Sequence, residues 1–215
     1  MSYRALDISS WKRRPHYEFF KEFDEPFFGL TFDVRLTEMY EWCKETGESL
    51  FLNYIYAALK AANEIEEFRY RMAEDEIRVY DQISISPTIA RDDETFGFSY
   101  MEYYQDRRRF MKEAAKEVTR VRESDDLFPS AERPDTIHCT SLPWLKFTSL
   151  SHARNYRIQD SIPKIAFGKV FRENDDWSIP VSVHGHHALM DGIHVSKLAQ
   201  KLEENLTSIK KFRED

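Results

Sequence analysis

With 215 residues, 41% of them hydrophobic and 16 Phe, 11 Tyr and 4 Trp among them, the chain can bury a sizeable core as one domain or two small ones. A net charge of −7 argues against a nucleic-acid binder, and only 6 Gly and 8 Pro argue against a fibrous or low-complexity chain. The 2 Cys make no disulfide framework, and with no charged-then-apolar leader or bilayer-length apolar run a cytoplasmic protein is expected, with no membrane segment.

In chain order, residues 3–9 read as a short strand ending in Ser9-Ser10, a candidate N-cap. A helix follows, with Pro15 in its first turn and aromatic residues from His16 to Phe23. Phe27–Arg35 alternates as a strand does. Leu36–Glu45 reads as a helix closed by Gly47, and Ser49–Ile65 as a second helix, apolar on most sides and so mostly buried. Phe68 to Phe98 carries a strand rhythm with acidic turns at Glu74-Asp75 and Asp92-Asp93. Gln105–Arg122 is an amphipathic helix, Glu123–Asp135 a loop, and Thr136–Leu142 a strand stopped by Pro143. Ile162–Phe171 and Trp177–Val183 read as a hairpin around Glu173–Asp176, and Ile193, Val195, Leu198, Leu202, Leu206 and Ile209 then fall at helical spacing. Cys43 and Cys139 read as buried thiols. With no repeat or linker, the pattern is a single mixed α/β domain over residues 1–215, its helices covering one face of a sheet.

Chemistry concentrates in Ser182-Val-His-Gly-His-His-Ala-Leu-Met-Asp-Gly-Ile-His194, which holds four of the seven histidines where a strand ends and a helix is about to begin. A neutral imidazole at His187 can take a proton near neutral pH. Asp191, four residues on, can brace the turn that carries His187 or hold the ring itself. A zinc site at His184, His186, His187 and His194 is the competing chemistry. His184 and His186 share a strand face while His187 points away, so four ligands do not converge, and no metal is expected. A lone His-x-x-x-Asp is also what a packed or solvated histidine looks like.

The motif does not stand by itself. His-His-Ala-Leu-Met-Asp-Gly resembles the His-x-x-x-Asp-Gly signature of the CoA-dependent acyltransferases, and His186 with Ile193-His194-Val195 make it most similar to the chloramphenicol acetyltransferase branch. The resemblance extends to Asp7-Ile-Ser-Ser-Trp-Lys-Arg-Arg-Pro-His16, Glu67-Phe-Arg-Tyr-Arg-Met72, Glu76-Ile-Arg-Val-Tyr-Asp81, Glu94-Thr-Phe96 and Ser141-Leu-Pro-Trp144 with Phe147-Thr-Ser149. It implies a two-layer α/β sandwich with a mixed sheet and helices on one face. It also implies a homotrimer with active sites between subunits, acetyl-CoA as co-substrate with no permanently bound cofactor, and a small hydroxylated acceptor.

The resemblance assigns roles to residues of this chain. His187 is the candidate general base, Arg13 pairs with Asp191, and Thr140 stands where the family has a serine that stabilises the oxyanion. Ser141 is the neighbouring hydroxyl. Strand alternation turns it to the other face and favours Thr140. Trp144 resembles a residue near the CoA channel, and a core aromatic would look the same. In the acceptor pocket Thr88 and Phe96 match positions that touch chloramphenicol. Phe20 stands for a tyrosine, His152 and Lys164 for aliphatic residues, and Ala166 for a threonine. The expected reaction is acetyl transfer to a hydroxyl of chloramphenicol. The same transfer to another hydroxylated small molecule is the alternative, because the changed pocket must satisfy different polar groups. A catalytically silent relative is the third reading, and the retention of His187, Asp191, Arg13 and Thr140 speaks against it.

Overall fold

The computed structural model describes residues 2–74, 76–128 and 133–209. Among these residues ten strands and five helices run β1 (Tyr3–Ala5), α1 (Arg14–Phe20), β2 (Phe27–Arg35), α2 (Thr37–Thr46), α3 (Leu50–Asn63), β3 (Tyr70–Ala73), β4 (Glu76–Tyr80) and β5 (Ser84–Ala90). Then come β6 (Phe96–Phe98), α4 (Arg107–Arg122), β7 (Thr136–Ser141), β8 (Lys164–Phe167), β9 (Phe171–Glu173), β10 (Asp176–His186) and α5 (Gly192–Thr207), and a 3-10 turn, Glu66–Arg69, precedes β3. Local chemistry sets the ends. Gly47 closes α2 at φ 75°, a left-handed conformation glycine takes without penalty. Ser49 caps α3 by accepting the Leu52 amide hydrogen, and Asp106 caps α4 by accepting that of Arg109.

The seven-stranded sheet has the order β2-β10-β8-β7-β5-β6, with β9 on the end of β10. β5, β7 and β8 run parallel and the other pairs antiparallel, so the sheet is mixed. Alternation splits its residues between two faces. Ile85, Ile137, Cys139, Ile165, Phe167, Val181 and Val183 form one face and join a core with α2, α3, α4 and α5. The other face is polar. Registers align Ser86, His138, Lys164, His184 and Gly29 in one row across five strands, with Thr140, Ala166, Ser182 and Thr31 in the next. Gly29 is required there, because a Cβ at that position would overlap the His184 ring.

A second, three-stranded sheet, β1-β4-β3, was not separable from the sequence rhythm. It packs Tyr70, Ile77 and Val79 against Tyr17 of α1 and against Ala188 and Leu189. Several boundaries differ from the expected ones, and the strand expected over Ile162–Phe171 is broken into β8 and β9. The first strand stops at Ala5, because Asp7 turns the chain by accepting from the Ser9 amide and the Ser9 and Ser10 hydroxyls, so these serines cap no helix. The first helix spans Arg14–Phe20 and does not reach Phe23. β10 continues through Val183 to His186, paired with β2 along its length, so His184 and His186 belong to the strand and only His187 begins the turn. Cys43 and Cys139 are free and buried, and burial pushes the Cys43 thiol up to about 11.

Candidate active site

The turn after β10 is anchored by its apolar residues. Ala188 and Leu189 are buried in the small core and Met190 in the large one. Its backbone is held by Arg13, just before α1. One guanidinium nitrogen donates to the Asp191 carboxylate at 2.6 Å, and the other donates to the carbonyls of His187 at 2.7 Å and Met190 at 2.8 Å. Asp191 is also the N-cap of α5 and accepts the Ile193 amide hydrogen at 3.1 Å. Burial pushes the Asp191 carboxyl up, but Arg13 and the Ile193 amide outweigh it and hold it below the usual carboxylate range. Of the two roles open to Asp191, the geometry has it bracing the turn, with no bond to the His187 ring.

The ring of His187 is fixed by other groups. It stacks on Phe20 at 4.1 Å, lies 4.8 Å from Phe28, and places Nδ1 3.2 Å from the Met190 carbonyl oxygen. A carbonyl only accepts, so Nδ1 carries the hydrogen and Nε2 keeps its lone pair. The ring is therefore in the tautomer a base needs.

A cavity of about 470 Å³ opens on the polar face of the large sheet. Thr88, Phe96, His138, Thr140, His152 and Lys164 line it, and Phe98 and Phe128, stacked 4.8 Å apart, form an aromatic wall. Thr140 faces this cavity. The hydroxyl of Ser141 is 2.8 Å from that of Tyr54 on α3, on the opposite side of the sheet. Lys164 donates to Asp160 at 2.6 Å and to the Ile162 carbonyl. Burial draws its pKa down against the pull of Asp160. Ala166 is fully buried in the sheet beside Thr140 and is not part of the cavity wall. Trp144, at 68% exposure, is no core aromatic. Phe20 lies on His187 and not in the cavity. One chain thus holds the expected residues in two groups, His187 with Arg13, Asp191 and Phe20, and the cavity with Thr88, Phe96, Thr140, His152 and Lys164.

The sequence reading gave no place in the site to His138 or Phe28, and it weighed His194 only as a zinc ligand and as part of the motif. His138 lies two before Thr140 on β7, and strand alternation alone would have put it on the same face. Phe28 meets His187 only through the pairing of β2 with β10. His194 fills the third position of α5, where a capping box ordinarily carries Glu or Gln, so the sequence pattern did not mark it as part of a cap. Among the described residues no group of three or more His, Cys, Asp or Glu is arranged to hold a metal ion.

Burial draws three imidazoles, His138, His152 and His186, down from 6.5 to about 4, helped by Lys164 at His138, by His184 at His152 and by Arg154 at His186. As pH falls below 6.5 the unfolded chain takes up protons that the folded chain refuses until about 4, so stability is lost across that window. Urea melts at pH 7 and pH 5 should show a clear drop in midpoint at the lower value, reduced in His186→Asn. Equal midpoints would contradict the burial of these rings as neutral groups.

An imidazole on a clamped strand-to-helix turn, with a hydroxyl and a cavity on the polar face of a mixed sheet, is the arrangement expected of an acyltransferase of the His-x-x-x-Asp-Gly type. A family model described as chloramphenicol acetyltransferase matches residues 1–203, and the chain belongs to that family. It is 28% identical over 207 residues to chloramphenicol acetyltransferase 3 of Escherichia coli, covering 95% of this chain and 97% of that one. It is 26% identical over 205 residues to the chloramphenicol acetyltransferase of Proteus mirabilis, covering 93% of each. A solved chloramphenicol acetyltransferase superposes with TM-score 0.89 at 29% identity, over 96% of this chain and 100% of the other. A probable dihydrolipoamide acetyltransferase of Listeria monocytogenes shares the fold at TM-score 0.66 and 16% identity, over 91% and 89% of the two chains.

Proposed function

We propose that the protein moves an acetyl group from acetyl-CoA to a hydroxyl of chloramphenicol within a ternary complex. The observation that carries this reading is the lone pair on Nε2 of His187, held in place by the clamped turn of a chain from this family. Nε2 takes the hydroxyl proton as the oxygen attacks the thioester carbonyl. The hydroxyl of Thr140 donates to the oxyanion. Collapse expels the CoA thiolate, which recovers the proton from His187, so no covalent enzyme intermediate forms. Acetyl-CoA is a co-substrate and no resident cofactor is needed. Trp144 and Leu145, both exposed beyond β7, offer apolar surface on which CoA can lie.

The separation of His187 from the cavity is met by a homotrimer in which His187 of one subunit faces the cavity of its neighbour. Mixing inactive His187→Ala and Thr140→Ala chains, unfolding and refolding them together, should then restore activity, because hybrids contain sites with both residues intact. Mixtures as inactive as their components would refute an intersubunit site. No helix among the described residues is long and apolar enough to cross a membrane, and a cytoplasmic location fits the supply of acetyl-CoA.

The cavity also favours a second reading, the same transfer to a different hydroxylated small molecule. Lys164, His138 and His152 line it, and the buried Nε2 of His152 has no hydrogen-bond partner among the described residues, so an acceptor with a matching polar group would gain a hydrogen bond there. Thiol release from acetyl-CoA, with chloramphenicol and with a panel of other alcohols, tests both. His187-dependent release with chloramphenicol supports the first reading. Release with another alcohol but not chloramphenicol moves the acceptor and leaves the chemistry. Failure with every acceptor refutes both.

A further inference from the structure

We propose that His194 and Glu67 are positioning residues for the transfer: His194 fixes the backbone of Asp191, Glu67 fixes the ring of His194, and together they set how His187 is presented. The proposal rests on the reading of His187 as the base.

His194 is the third residue of α5 and is almost fully buried. Its Nδ1 accepts the backbone amide hydrogen of Asp191 at 3.0 Å. An accepting Nδ1 carries no hydrogen, so the neutral ring bears it on Nε2, which lies 3.3 Å from Oε1 of Glu67. The Asp191 side chain answers by capping the start of α5, which makes the box reciprocal. A Glu or Gln at this position could reach the same amide. It would do so through three rotatable bonds, where the imidazole is a rigid plate with an acceptor at one nitrogen and a donor at another. Glu67 stands on the 3-10 turn that leads into β3, so the link ties the catalytic turn to the small sheet. The hydrogen bond from His194 holds the Glu67 carboxyl below the ordinary range against its burial, as expected of a carboxylate engaged in its charged form.

The turn is thus gripped on two sides. Arg13 takes the carbonyls of His187 and Met190 and the carboxylate of Asp191, while His194 takes the Asp191 amide. Arg13 holds Asp191 only through its side chain, and the amide contact fixes the backbone of the same residue. A base must stand within hydrogen-bonding distance of the proton it takes, and a displacement of about 1 Å costs about 100-fold in rate.

The test separates the two contacts. In His194→Asn the side-chain oxygen stands near the place of Nδ1 and still accepts the Asp191 amide. In His194→Leu nothing does. Glu67→Ala removes only the outer grip. His194→Leu should lower kcat by about 10- to 100-fold, with KM for acetyl-CoA and for the acceptor changed by no more than about two-fold, and His194→Asn should restore most of the rate. Glu67→Ala should lower kcat by about three- to ten-fold in the wild-type background and have almost no further effect in His194→Asn, because residues acting as one unit are not additive. Thermal melts report the folded fraction, and kcat is expressed per folded molecule. If His194→Leu does not fold, the Glu67→Ala and His194→Asn cycle stands as the test. Wild-type kcat per folded molecule in His194→Leu, equal losses in Leu and Asn, or a full Glu67→Ala effect in His194→Asn would each overturn the proposal. Absence of any His187-dependent thiol release in the wild type would instead overturn the functional reading on which it rests.

Discussion

Replacing His187 with alanine should lower kcat for acetyl transfer by about 10⁴-fold while leaving the melting temperature close to that of the wild type. The activity loss follows from the tautomer. The Met190 carbonyl commits Nδ1 as a donor, so Nε2 is the ring's free lone pair, and an alanine supplies no base in its place. The small stability effect follows from packing. The ring is only partly buried, and the turn is held by the packing of Ala188, Leu189 and Met190 and by the bonds of Arg13, all of which alanine at 187 leaves in place. The measurement is thiol release from acetyl-CoA alongside a thermal melt. A variant that keeps most of its turnover would mean that the proton goes elsewhere, and the cavity histidines His138 and His152 would be the next to test.

Much of this arrangement was readable because it is written locally. The His-x-x-x-Asp-Gly spacing, the alternation of Phe27–Arg35, the closing Gly47, the helix that follows Ser49 and the helical stripe after Ile193 depend on neighbours within a few residues, and the structure keeps each of them. What was not readable depends on pairing between distant segments. No local signal says that His138, Lys164 and His184 form one row, since that follows from the registers of β7, β8 and β10. The length of β10 is a case of the same kind. Gly185 and two histidines weaken the strand rhythm, but β2 pairs with all of them and carries the strand to the edge of the turn. Phe20 is a further case, since position in the sequence does not say that its ring stacks on His187 while Phe96, Phe98 and Phe128 line the cavity of the same chain.

The grouping of the site has a consequence for how it works. His187 carries little freedom, stacked on Phe20 and packed against Phe28 with one nitrogen engaged, whereas the cavity presents polar groups without a hydrogen-bond partner among the described residues, such as Nε2 of His152. On the proposed function, the rigid half carries the chemistry and the other half the choice of acceptor. Substitutions at His152 or Lys164 should therefore change which alcohol is acetylated without moving the turn that holds the base.

Removing the clamp should be the most damaging change to the fold of the site. Arg13→Ala should destabilise the protein by about 2–4 kcal/mol and lower kcat by about 100-fold. The guanidinium is 12% exposed and its partner carboxylate 33%, so the pair lies between the surface and fully buried cases, and the figure sits at the lower end of what breaking a buried pair costs. The loss has three parts, because Arg13 also satisfies the carbonyls of His187 and Met190, which alanine leaves without that donor. For a chain of this size the melting temperature should fall by about 5–15 °C. Asp191→Asn should act in the same direction but less, since an amide oxygen can still cap α5 while the charge that Arg13 grips is gone. The pH dependence distinguishes the clamp from the buried histidines. The folded carboxyl of Asp191 is held below its ordinary 3.8, so its contribution is complete above that value and is lost only as pH falls through the lower, folded one. The gap in stability between Arg13→Ala and wild type should therefore hold constant from pH 7 to 5, even as both proteins weaken through the uptake of protons by unfolded histidines. A gap that closed between pH 7 and 5 would show that Arg13 works through an imidazole and not through Asp191. Wild-type rate and stability in Arg13→Ala would remove the clamp from the mechanism altogether, leaving the cap of α5 and the packing of Ala188 and Leu189 to hold His187 in place.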